Sequence, residues 1–136
     1  MPSKRKETSE QLRDDLRGDG SLLMNLGSLV TVAQAAPNNF FHFVFDNGVY
    51  EVNGSHPVPG AGKTDFAAMA LAAGYRNAVV YDRLDDLKAG VAGFLSQTGP
   101  VIAVMKVERG KPYPRNYDYI HSIVARQKFR SALASS

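Results

Sequence analysis

The 136-residue sequence contains no cysteine. Disulfides, thiolate metal sites and cysteine nucleophiles are therefore excluded. No apolar run approaches the roughly 20 residues of a membrane-spanning helix, so no membrane contact is expected. The opening Met1-Pro2-Ser3-Lys4-Arg5-Lys6 has no apolar stretch behind it and is not read as a secretory signal, which leaves a cytoplasmic location as the expectation. A large excess of one charge sign is missing as well: 16 Lys and Arg stand against 13 Asp and Glu, a net charge of +3. That balance suits an anionic cofactor or substrate without specifying one. No internal repeat is evident. What remains is 44% hydrophobic and 21% charged, the composition of a globular chain. Its length suggests a single domain that buries about two thirds of the surface of its unfolded chain.

The chain is organised around residues 18–51. This stretch opens with Gly18-Asp19-Gly20-Ser21 and closes with Phe45-Asp46-Asn47-Gly48-Val49-Tyr50-Glu51. Between them, Leu22, Leu26, Leu29 and Ala33, with Leu23 and Val30 alongside, have helical spacing and predict a helix over 21–36 that ends at Pro37. Phe40 to Phe45 reads as a strand, apolar except for His42. A helix starting near Ser21 aims its free N–H groups and positive dipole end at the glycine turn, an arrangement suited to phosphate. Asp19 only accepts hydrogen bonds and does not serve a phosphate directly. A hard cation resolves the conflict, because Mg²⁺ takes carboxylate, amide and carbonyl oxygens and keeps substrate phosphates in its shell. Asn47 offers an amide oxygen, and the Asn47–Val49 turn a backbone carbonyl. In an open α/β sheet such turns share the carboxyl edge, where ligands bind.

A Gly-Asp-Gly followed after nearly thirty residues by an Asn-containing turn resembles the thiamine-diphosphate signature. More narrowly, GDGSLLMNLGSLVT and FDNGVYE are similar to the cofactor-binding region of sulfopyruvate and phosphonopyruvate decarboxylases. The resemblance covers residues 18 to about 130 and includes the wording PYPRNYDYIHS. It implies a doubly wound parallel α/β sheet of the thiamine-diphosphate-binding fold. It implies that Asp19, the Asn47 side chain and the Val49 carbonyl bind Mg²⁺. Gly18, Gly20, Ser21 and Tyr50 complete the surface expected around thiamine diphosphate. The glutamate that activates the aminopyrimidine in this family belongs to a separate pyrimidine-binding domain, which nothing here matches. No catalytic residue is therefore assigned. A partner subunit or domain, an oligomeric assembly and a 2-oxo acid substrate are implied, with the isolated chain inactive. A non-catalytic truncated remnant and a small phosphate- or nucleotide-binding βα protein are the alternative readings.

The front of the chain departs from the family. Residues 1–17 form a polar segment in which Thr8 with Gln11 suggests a capping box and Glu10 to Arg17 a short charged helix. A buried parallel strand normally precedes a phosphate-binding glycine turn and reads as a near-continuous apolar run. Gln11-Leu12-Arg13-Asp14-Asp15-Leu16-Arg17 does not, and burying two adjacent aspartates is costly. The expectation is a domain incomplete at its N-terminus, spanning 18–108.

Further on, residues 51–63 read as a long Gly- and Pro-rich loop, a lid with Glu51 and His56 as substrate-contact candidates. Thr64 is expected to cap a helix over 65–73 that Gly74 stops. A strand over 77–81, a helix over 84–95 and a strand over 100–107 follow, an alternation that argues for a parallel sheet. Residues 109–136 carry Tyr113, Tyr117, Tyr119 and His121, then Arg126, Lys128 and Arg130 in a helix expected over 120–133. This mixture favours a docking arm for another subunit over nucleic-acid contact; a solvated tail is the plain alternative.

Overall fold

The structure, a computed structural model, describes residues 13–111, 117–120 and 122–134. Among the described residues six strands and six helices follow in the order β1 (Arg13–Gly18), α1 (Asp19–Met24), α2 (Gly27–Ala35), β2 (Phe40–Asp46), β3 (Val49–Tyr50), β4 (His56–Pro57), α3 (Phe66–Ala73), β5 (Asn77–Tyr81), α4 (Leu84–Leu95), β6 (Val101–Lys106), α5 (Tyr117–Ile120) and α6 (Ile123–Ala134). The main sheet has the order β1-β2-β6-β5, and all three of its pairings are parallel. Parallel strands end at a common edge, so Gly18, Asp46, Tyr81 and Lys106 lie at one rim of the sheet.

Side-chain alternation sorts the core onto two faces. On one face Leu22, Leu29, Phe66 and Ala70 from α1 to α3 pack on Val44, Ile102 and Val104. On the other, Phe94 of α4 packs with Phe41, Val101, Ala103 and Met105. Val101 to Met105 are buried without interruption, as befits a strand covered on both sides. The doubly wound α/β architecture expected from the sequence is therefore present.

Five local expectations are corrected. Residues 13–17, expected to fall in a charged helix over 10–17, form with Gly18 the edge strand β1, paired parallel with β2 from Arg13↔Phe40 to Gly18↔Phe45. At this edge the objection to a buried aspartate falls away for Asp15. The Asp15 side chain keeps 29% of its surface exposed and pairs with Arg17 at 2.6 Å, and Leu16 is 61% exposed. Residues 1–12, with the expected capping box, lie outside the described residues.

The single helix expected over 21–36 is two. α1 begins at Asp19, and a turn at Asn25 and Leu26 separates it from α2. Asn25 N–H bonds to the Leu22 carbonyl and Ser28 N–H to that of Asn25, which closes the turn. Asp65, not Thr64, caps α3: its carboxylate accepts from Ala68 N–H at 2.9 Å. Thr64 instead donates its hydroxyl to the Gly60 carbonyl. The tail helix is divided between α5 and α6, and the Ser122 hydroxyl accepts from Ala125 N–H at the start of α6. Residues 112–116 and 121, which include Tyr113 and His121, lie outside the described residues.

The stretch expected as a long Gly- and Pro-rich loop over 51–63 also has internal structure. A 3-10 turn runs over Glu51–Asn53, β4 pairs antiparallel with β3, and Val58 is buried.

Candidate functional site

The site grows out of the register between β1 and β2. Gly18 faces Phe45, so the residues that leave each strand emerge side by side at the carboxyl rim. α1 starts at once after β1 and carries Asp19 into its first turn, 1% exposed. The Asp19 carboxylate accepts the Gly48 N–H at 2.9 Å. That one bond joins the aspartate turn to the asparagine turn across 29 positions of sequence.

Burial is the main influence on the Asp19 carboxyl and pushes its pKa above the ordinary carboxylate value. The N–H groups of Gly20 and Gly48 oppose that rise, and the neighbouring Asp46 adds to it. Asp46 is itself held in an ion pair with Lys106, the residue beside it in the β2–β6 register.

The Asn47 carboxamide is bonded at both ends. Its Nδ2 donates to Glu51 Oε2 at 3.1 Å, and its Oδ1 accepts from Val49 N–H at 3.1 Å. Val49 and Tyr50 form β3, and the Tyr50 ring comes so close to Gly20 that no side chain fits between them. A Cβ on Gly20 would stand 2.5 Å from Tyr50 Cδ1 and 3.2 Å from a Val58 methyl. A glycine is required here by close approach.

These turns enclose an open pocket of about 440 Å³. All seven residues expected to form the site, Gly18, Asp19, Gly20, Ser21, Asn47, Val49 and Tyr50, line it. Glu51 lines it too, with its carboxylate bonded to Asn47. His56, the other substrate-contact candidate, is exposed on β4 and is not among the lining residues. His42 lies away from the pocket, 2% exposed on β2, with Nδ1 3.2 Å from the Tyr75 hydroxyl. The Glu51–Asn47 bond and the Asp46–Lys106 pair were not foreseen from sequence. The first has a local signal, an acid four residues after the asparagine; the second depends on strand register.

A buried carboxylate, a carboxamide and a glycine turn at a helix start form an oxygen-rich donor set of the kind a hard cation takes. Gly18 adds room, since a Cβ there would meet nothing within 4 Å. The residues present therefore fit a diphosphate held through a divalent ion. A doubly wound parallel sheet with such a pocket at its carboxyl rim defines a cofactor-binding α/β domain. Comparison with known proteins makes the class specific. The chain belongs to the thiamine pyrophosphate enzymes: residues 15–105 match the family's C-terminal TPP binding domain.

Phosphonopyruvate decarboxylase of Streptomyces hygroscopicus is 42% identical over 93 residues, 68% of this chain and 23% of that protein. Sulfopyruvate decarboxylase subunit beta of Methanothermobacter thermautotrophicus is 40% identical over 95 residues, 70% of this chain and 48% of that protein. The chain thus spans between about a quarter and a half of the length of these relatives. Among solved structures, an enzyme of Mycobacterium smegmatis, provisionally assigned as thiamin diphosphate-dependent, shares the fold. It has a TM-score of 0.61 and 24% identity, and the match covers 74% of this chain and 19% of that one. No helix among the described residues is long and apolar enough to cross a membrane.

Proposed function

We propose that this chain is the diphosphate-binding part of a thiamine-diphosphate-dependent decarboxylase acting on a phosphono- or sulfo-substituted pyruvate. In this reading Asp19, the Asn47 carboxamide oxygen and the Val49 carbonyl hold Mg²⁺. Gly18, Gly20, Ser21 and Tyr50 surround the diphosphate. The observation that carries the reading is the buried Asp19 carboxylate, bonded to Gly48 in the same pocket that Asn47 and Val49 line. Burial works against the charged form of such a group, and a divalent cation supplies the missing compensation.

When bound, the cofactor supplies the electron sink for loss of carbon dioxide from a 2-oxo acid. The residues here bind and orient. Asp19 and Asn47 fix the metal end, and α1 places its N-terminal turn beside it. A second subunit or domain provides the pyrimidine side, in keeping with relatives named as a beta subunit. A cytoplasmic oligomer and an inactive isolated chain belong to the same proposal.

Calorimetry and thermal denaturation with thiamine diphosphate, with and without Mg²⁺, test the reading. Saturation at a hundredfold the dissociation constant adds about 2.7 kcal/mol of stability. Chelating the metal, or substituting Asp19→Ala, removes that increment. A metal-independent increment, or one that survives in the variant, refutes the assignment.

A further inference from the structure

We infer that Glu51 is a positioning residue for Asn47, and that the chain leaving β6 holds it in place at Gly110. The inference deepens the cofactor reading above and rests on it. A carboxamide presents two unlike ends, and only its oxygen is a ligand for a hard cation. A carboxylate accepts and does not donate, so the end of Asn47 that faces Glu51 is its NH₂ group. With that end fixed, Oδ1 is turned to the opposite side, where Val49 N–H also meets it. The rotor is thereby set before any ligand arrives. Outer groups that orient a metal ligand in this way typically matter about 10–100-fold in metal affinity.

Glu51 is braced from behind. A methyl built on Gly110 would overlap Oε1, the carboxylate oxygen not engaged by Asn47. The segment that carries Gly110 is anchored to the same turn. Val107 N–H donates to the Asp46 carbonyl at 3.1 Å, and Lys106 pairs with the Asp46 carboxylate. The exits of β2 and β6 are thus tied together around Asn47, and Gly110 leaves room for the glutamate head and no more. Because the obstructed atom is the far end of a flexible side chain, Gly110→Ala displaces the carboxylate without straining the backbone. The site then loses orientation with its fold intact.

The test combines nuclear magnetic resonance of the full chain without ligand and calorimetry with thiamine diphosphate and Mg²⁺. Glu51→Ala is expected to shift the Asn47 side-chain NH₂ resonances and weaken binding at least about tenfold. Gly110→Ala moves the same resonances in the same direction and weakens binding comparably. Glu51→Gln, whose amide oxygen accepts the same bond, stays within about threefold of the parent, below the range for a lost orienting group. The double variant Glu51→Ala/Gly110→Ala binds no more weakly than Glu51→Ala alone, because one change acts through the other. Parental affinity in Glu51→Ala, unmoved Asn47 resonances in Gly110→Ala, or additive losses in the double variant overturn the inference alone. A parent chain that binds no thiamine diphosphate with Mg²⁺ overturns the cofactor reading, and this inference with it.

Discussion

The buried histidine on β2 yields a prediction whose size follows from the structure. His42 is 2% exposed, and its Nε2 is the buried side-chain nitrogen with no hydrogen bond among the described residues. Asp15 and Arg17 face it from β1 and Tyr75 from beyond α3, with Asp15 Oδ2 3.9 Å from Nε2. Burial is the dominant influence and pushes the imidazole down from 6.5 to about 4; Arg17 adds to the effect and Asp15 opposes it. Between those values the unfolded chain binds a proton that the folded chain does not. Acidification therefore favours unfolding through this window, and the neutral histidine's contribution is complete above about pH 6.5.

At about 1.4 kcal/mol per pKa unit, the difference amounts to about 3 kcal/mol lost between pH 7 and pH 4. That is a large share of the 5–15 kcal/mol typical of a domain, on the order of a quarter or more. The assay is urea denaturation at half-unit pH intervals, for the parent and for His42→Gln. Glutamine still offers the Tyr75 hydroxyl a partner and does not titrate. The raised Asp19 carboxyl works in the opposite direction, since its folded form holds a proton more readily than the unfolded one. It is present in both proteins, so their difference isolates His42. An equal fall in stability for parent and variant would refute the reasoning.

Two further outcomes are expected. Gly20→Ala places a methyl against the Tyr50 ring and costs about 1–3 kcal/mol of stability by urea denaturation. Most of that loss is recovered when Tyr50 is also cut back to alanine, and no recovery would show the Tyr50 contact to be unimportant. Asp65→Ala removes the carboxylate that accepts from Ala68 N–H and costs about 1 kcal/mol, whereas Thr64→Ala costs less. The reverse order would restore Thr64 as the cap of α3.

Much of the candidate pocket was legible in sequence because its components are local. A glycine-flanked aspartate and an asparagine turn can each be read within a few residues, and both line the pocket. β1 was not legible, because strand state at a sheet edge is decided by the neighbour. Asp15 and Arg17 are polar and partly exposed, Leu16 faces outward, and no near-continuous apolar run marks the strand; parallel pairing with β2 supplies what propensity does not. The break at Asn25 was hidden for the opposite reason: apolar spacing continues through it, and only the path of the backbone shows the turn.

The sequence by itself determined the alternation of helix and strand over residues 64–107 and the two turns. Periodicity and turn chemistry act over a few residues, so the linear order contains them. Only the tertiary structure decided that Asp19 meets Gly48, that Lys106 pairs with Asp46, and that Gly110 abuts Glu51. Each of these contacts joins residues far apart in the chain, and each depends on which strands lie side by side and in what register.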